Sequence, residues 1–168
     1  NSPQLEGFIA NKIPVLFMTD AVDEFWLQNI QKFKEKEFKS ITKGKVDLSK
    51  LKKDSDKKDN INKNVTKIND LINVLKKELE AKISNVIISD RLTKSPILLV
   101  ADETSMDINM EKLMKMHNKK TQDSKKILEI NVDHPMIIKL SETLTKVDHK
   151  KLSNLLLDQA NIRSEEHT

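Results

Sequence analysis

Apolar residues recur along this chain in runs that switch between strand and helix spacing. Residues 13–19 form a short apolar run, and Pro14 confines the strand it predicts to an edge or to its first residues. Asp20 suits a helix N-cap. Val22, Phe25, Trp26, Ile30 and Phe33 then follow at helical spacing. Residues 38–42 alternate Phe38, Ser40 and Thr42 against Lys39 and Ile41, which predicts a second strand. Strand, helix and strand with this crossover predict a parallel β-α-β unit.

The pattern breaks at residues 43–62, where charged residues crowd together and little could be buried. This stretch reads as a solvated linker between two modules. We place a small α/β module at 1–43, the charged linker at 44–60 and a second module at 61–168. In that module Ile61, Val65, Ile68, Leu71, Ile72, Leu75 and Leu79 step by three and four, as a long amphipathic helix does. Residues 86–88 and 97–100 read as strands, and their short connection predicts an antiparallel pair. A helix over 105–118 and a strand over 127–130 follow. Pro135 opens another helix with Met136, Ile137, Leu140 and Leu144 on one face. Residues 150–162 close the chain as a helix. The expected class is α+β: a small β-α-β subdomain, then a mixed domain with a short sheet and several helices.

Composition narrows the function. Two glycines among 168 residues exclude a Gly-rich phosphate cradle, and the lack of cysteine excludes disulfides and thiolate metal sites. That fits a reducing, cytoplasmic setting. No apolar run reaches the roughly 20 residues of a membrane span, so no membrane partner is expected. The net charge of +4 arises within residues 43–66, which hold eight Lys against four Asp. Two Arg in the whole chain, with few aromatics beside the lysines, argue against a nucleic-acid partner. The opening Asn-Ser-Pro reads as the start of a piece cut from a longer protein.

A search for catalytic residues finds none. His117, His134, His149 and His167 lie in no metal-ligand spacing. Asp23 and Glu24 are adjacent on a helix, about 100° apart, and read as a solvated helix start. The helix near Met106 is different. Met106, Met110, Leu113 and Met114 fall within one stripe, while Asp107, Glu111, Lys112 and Lys115 lie opposite. A Met face adapts to many apolar shapes, although by spacing alone ordinary core is the favoured reading. Leu152, Leu155, Leu156 and Ala160 form a wide face on the last helix, either a subunit interface or packing on the helix before it.

Several segments together resemble the heat-shock protein 90 chaperones. Val15-Leu16-Phe17-Met18-Thr19-Asp20-Ala21-Val22-Asp23-Glu24-Phe25-Trp26 resembles that family's "VLLMTDPIDEY" segment, and residues 2–6 resemble the helix end preceding it. Residues 89–96, 109–114 and 128–135 match later blocks in the same order. Leu155-Leu156-Leu157-Asp158-Gln159-Ala160 resembles the bacterial form. Val132 departs from the family's usual Pro.

The resemblance implies that residues 1–43 are the last α/β subdomain of the family's middle domain. Residues from about 60 onward would be its C-terminal domain. ATP and Mg would bind an N-terminal domain upstream, so this stretch is expected to hold no cofactor and no catalytic residue, and not to act as an enzyme by itself. The parent would be an ATP-hydrolysing stress-response chaperone. Non-native client proteins are the implied partners, held by Met106, Met110, Leu113 and Met114, with Glu24, Phe25 and Gln28 as a second patch. The family dimerises through two helices per chain; the first resembles residues 150–163, and the second is expected to be missing, which puts a homodimer of this stretch in doubt. The rival reading is a scaffold module with a buried Met stripe.

Overall fold

The computed structural model describes residues 2–20, 22–30, 32–44, 48, 65–105, 108–116 and 124–165. A 3-10 turn, Pro3–Leu5, leads into α1 (Glu6–Ala10) and α2 (Asp23–Asn29). Two short strands follow, β1 (Lys32–Phe33) and β2 (Lys36–Glu37). After them come α3 (Val65–Glu78), β3 (Ile83–Ile88), β4 (Ile97–Ala101), α4 (Ile108–Met116) and β5 (Lys126–Ile130). The chain then forms α5 (Pro135–Thr143), a 3-10 turn at Leu144–Lys146, and α6 (His149–Glu165). This is the expected α+β class.

The core is a three-stranded sheet with helices against one face. Its order is β3-β5-β4: β5 runs parallel to β3 and antiparallel to β4. Period-2 alternation sorts the side chains. Ile83, Val86, Ile97, Leu99, Leu128 and Ile130 meet α3, α5 and α6 in the main core. On α3 the buried positions are Ile68, Leu71, Ile72, Leu75 and Leu79, the face that the spacing predicts. Leu92, Leu98 and Val100 form a smaller cluster on the other face, with Ile127 against it. All five β4 residues are therefore buried, as expected of a strand covered on both faces.

Two sequence expectations are corrected. Residues 86–88 and 97–100 are strands, but they do not pair; β5 lies between them. A short connection permits a hairpin without requiring one, and here residues 89–96 cross to the far side of a central strand.

The parallel β-α-β unit is also absent among the described residues. Residues 13–19 carry no strand and have no ladder partner. Their expected partner, 38–42, turns instead: Ser40 Oγ and Thr42 Oγ1 lie 2.8 Å apart, and Thr42 N–H donates to Ser40 Oγ at 3.2 Å. The regular pairing here is the β1–β2 hairpin, whose turn residues Lys34 and Glu35 both have positive φ, 46° and 66°, as a type I′ turn requires. Asp20 caps the turn before α2 by accepting from Val22 N–H at 3.1 Å, and the helix begins three residues later. The linker expected at 44–60 lies outside the described residues except for Gly44 and Leu48.

One polar atom disturbs the main core. Ser153 Oγ on α6 is fully buried and has no hydrogen-bond partner among the described residues. Removing an unsatisfied buried hydroxyl lifts its desolvation penalty. Ser153→Ala should therefore raise unfolding stability by about 1 kcal/mol. A higher urea midpoint at unchanged slope is the expected readout; a clear loss of stability would show that the hydroxyl is satisfied.

Candidate functional site

The second face of the sheet joins residues 41–44 to the rest of the fold. Glu129 points from β5 to this side, because its neighbours Leu128 and Ile130 point into the main core. It is almost fully buried and pairs with Arg91 at 2.9 Å. Ser89 Oγ donates to its other oxygen at 2.6 Å. Burial pushes the Glu129 carboxyl up; the Arg91 charge and the hydrogen bonds from Ser89 and Arg91 oppose this without cancelling it. Arg91 also donates to the carbonyls of Ile41 and of Gly44, the latter at 2.7 Å. Thr42 and Gly44 bond the Ala101 backbone at 2.9 and 2.8 Å. The segment ending at Gly44 is thereby seated on the rest of the fold.

Glu6, at the start of α1, makes a second fastening. Its carboxylate accepts from the backbone N–H groups of Thr93, Lys94 and Ser95 and from Ser95 Oγ. Burial pushes its pKa up, but the Ser95 hydroxyl and these N–H groups outweigh burial and hold it below the ordinary glutamate value. The sequence reading missed Arg91, Glu129 and Glu6. A Glu inside an apolar strand and one of only two arginines were the available signals.

The methionine helix, α4, is anchored by its acidic side. Glu111, placed on the polar face by spacing, is 5% exposed. It accepts from Lys115 Nζ at 2.8 Å and from Ser124 Oγ at 2.9 Å. Leu113 and Met114 are half-buried, and Met116 beside them is 81% exposed. Among the described residues, no other helix or strand packs extensively against α4. Met106 lies outside the described residues, as does the side chain of Met110.

On α2, Phe25 is exposed, while the side chains of Glu24 and Gln28 lie outside the description. Leu16 and Phe17 just before it are more exposed still, at 74% and 70%. The Asp23 carboxylate closes the local turn by accepting from Trp26 Nε1 at 2.8 Å and from Asp20 N–H at 3.1 Å. On α6 the predicted face divides. Leu152, Leu156 and Ala160 are buried in the chain's own core, whereas Leu155 is 66% exposed and shares an outer face with Ile162, seven residues on.

His134 and His149 have structural partners. His134 Nδ1 caps α5 by accepting from Met136 N–H at 3.1 Å, and His149 Nε2 lies 2.9 Å from the Leu144 carbonyl. His117 and His167 are outside the described residues. No group of acidic residues and histidines placed to hold a metal occurs among the described residues, and no described helix is long and apolar enough to cross a membrane.

A family model described as "Hsp90 protein" matches residues 1–167. The chain belongs to the Hsp90 family. It is 43% identical over 169 aligned residues to the chaperone protein HtpG of Roseobacter denitrificans, covering 96% of this chain and 27% of that protein. It is 40% identical to the HtpG of Ruthia magnifica, over 95% of this chain and 25% of the relative. It is 39% identical to that of Wolbachia pipientis, over 82% and 22%. This Hsp90 chain thus spans about a quarter of the length of the curated relatives it matches.

The Glu6 fastening gives the Hsp90 chain a defined acid response. A carboxyl whose pKa is lower when folded contributes stability that is present above its unfolded pKa and lost as pH falls through the folded one. Stability should decline as pH drops below the ordinary glutamate range, and Glu6→Gln should flatten that decline. Parallel urea midpoints for wild type and Glu6→Gln across the acid range would count against it.

Proposed function

We propose that this chain is a client-holding part of a molecular chaperone, with α4 as the contact surface. The observation that supports this best is the orientation of α4. Its acidic residue Glu111 is the buried anchor, while Leu113 and Met114 keep exposed surface and Met116 is open. A helix that buries its carboxylate, leaves Met116 open and only half-buries Met114 is poorly explained as core. Flexible, polarizable Met side chains suit varied apolar partners. Met106 and Met110 extend the same stripe by spacing. Phe25, with Glu24 and Gln28 on α2, forms the second patch. Leu16 and Phe17, just before α2 in the sequence, add exposed apolar area of the kind expected at a protein-binding surface.

The family relatives carry the name chaperone, which supports the reading. Nucleotide chemistry, with ATP and Mg, is assigned to sequence outside this stretch; two glycines and no phosphate cradle fit that division. The parent protein is then an ATP-driven chaperone of the cytoplasm. Residues 1–43 correspond to the end of the middle domain and 61–168 to the C-terminal domain.

The test is suppression of client aggregation. Met110→Asp and Met114→Asp should each reduce suppression by about fivefold or more. The urea midpoint of each variant shows whether it is folded, and only a folded variant tests the surface. Undiminished suppression by folded variants would overturn the assigned surface.

A second reading concerns α6. Leu155 and Ile162 lie a heptad apart on an outer face, which suits a contact with a second copy of the chain. Leu155→Glu should shift sedimentation toward monomer if that face dimerises.

A further inference from the structure

Four distant stretches of the chain meet at one buried residue, Ser95. Its hydroxyl donates to Glu6 Oε1 at 2.5 Å and accepts from Arg163 Nη1 at 2.9 Å. Its backbone N–H also reaches Glu6, at 3.0 Å to the nearer oxygen, and its carbonyl accepts from Asn131 Nδ2 at 3.1 Å. A serine hydroxyl has one proton and two lone pairs. The proton goes to the carboxylate, and the guanidinium donates to the oxygen. The polarity runs in one direction: guanidinium to hydroxyl to carboxylate. Each bond polarises the next, so the two strengthen each other.

The ends of this chain of bonds sit on separate elements. Glu6 opens α1, the first α-helix of the seated N-terminal segment. Arg163 lies in the last turn of α6, next to exposed Ile162. Among the hydrogen bonds described here, Ser95 is the direct bridge between them. Glu6 retains its backbone donors when the hydroxyl is removed, whereas Arg163 loses this acceptor. The hydroxyl is therefore not needed to seat α1 but is needed to join it to α6.

We propose that Ser95 is a positioning residue that couples the seating of α1 on the β3–β4 loop to the order of the last turn of α6. A shift of the N-terminal segment is passed through this hydroxyl to the outer face of α6, and a load on α6 is passed back. The inference rests on the bond geometry and not on the client-binding reading.

Hydrogen exchange on the full 168-residue chain tests it. Glu6→Gln should speed exchange at residues 159–163 by about fivefold or more, the lower end of ordinary site-to-site coupling. Arg163→Ala should do the same at residues 6–10. Reciprocity is required of any true coupling. Ser95→Ala should speed exchange at 159–163 itself and abolish both cross effects when added to either variant. Slow exchange in α3, buried in the main core, controls for global unfolding. If Ser95→Ala does not fold, Arg163→Lys, which keeps the charge but not the fork, should give a partial effect at 6–10. Effects confined to the mutated end, or cross effects that persist in Ser95→Ala, would overturn the proposal.

Discussion

Replacing Arg91 with Ala should destabilise this fold by about 3–5 kcal/mol, the range seen when one partner of a buried ion pair is removed. Glu129 would be left almost fully buried with Ser89 Oγ as its remaining polar partner among the described residues, and the carbonyls of Ile41 and Gly44 would lose their guanidinium donor. The Glu129 carboxyl is already pushed up by burial with Arg91 in place. Without Arg91 it should rise further and hold its proton. A group whose folded pKa lies above its unfolded value loses stability as pH rises through that interval. The deficit of Arg91→Ala should thus be smaller in mildly acidic buffer than at neutral pH. Arg91→Met with Glu129→Leu should recover much of the loss, since apolar side chains of similar volume often replace a buried pair without penalty. Urea unfolding of the three proteins checks this. A deficit below about 1 kcal/mol in Arg91→Ala, typical of ordinary substitutions, would mean that the pair is solvated.

The sequence made the helices and the sheet-forming runs legible for a simple reason. Ile68, Leu71, Ile72, Leu75 and Leu79 repeat at 3.6-residue spacing and bury one face; Leu98 to Val100 form a continuous apolar run and are buried on both sides. Spacing reports which face is apolar. It does not report which strand lies beside which. The placement of β5 between β3 and β4 is fixed by non-local contacts, Arg91 to Glu129 and Ser95 to Asn131 among them. Local periodicity carries no trace of these. The run at 13–19 shows the converse: apolar residues in strand-like order have no strand here without a ladder partner.

The candidate site was legible in part. The stripe on α4 was visible, but its orientation was not. Glu111 belongs by spacing to the solvent side and by structure to the buried side, because Ser124 and Lys115 satisfy its oxygens. On α6 the broad leucine face concealed a division of labour. Leu152, Leu156 and Ala160 support the chain's own core, and Leu155 faces outward. A helix wheel cannot separate these roles when the apolar arc is wider than one neighbour can cover.

Gly7→Ala is expected to destabilise the chain by about 2–3 kcal/mol, near the upper end for overpacking a tight site. Two effects of opposite sign compete there. Gly7 lies inside α1, where Ala is the better helix former by up to about 1 kcal/mol. A Cβ at this position, however, would stand 2.6 Å from Leu48 Cδ1 and 2.7 Å from both Arg91 Cα and Arg91 O. The leucine methyl could turn aside, although Leu48 is itself completely buried. The Arg91 backbone cannot move without carrying its guanidinium away from Glu129 and from the carbonyls of Ile41 and Gly44. Steric strain at Gly7 is therefore passed to the buried ion pair, and packing should outweigh propensity. The loss should be local before it is global. As α1 lifts, Glu6 leaves the Thr93, Lys94 and Ser95 N–H groups, so those amides should exchange faster while α3 stays protected. A Gly7→Ala chain as stable as the parent, or more so, with residues 93–95 still protected, would show that helix propensity governs this site and that α1 is not seated against Arg91.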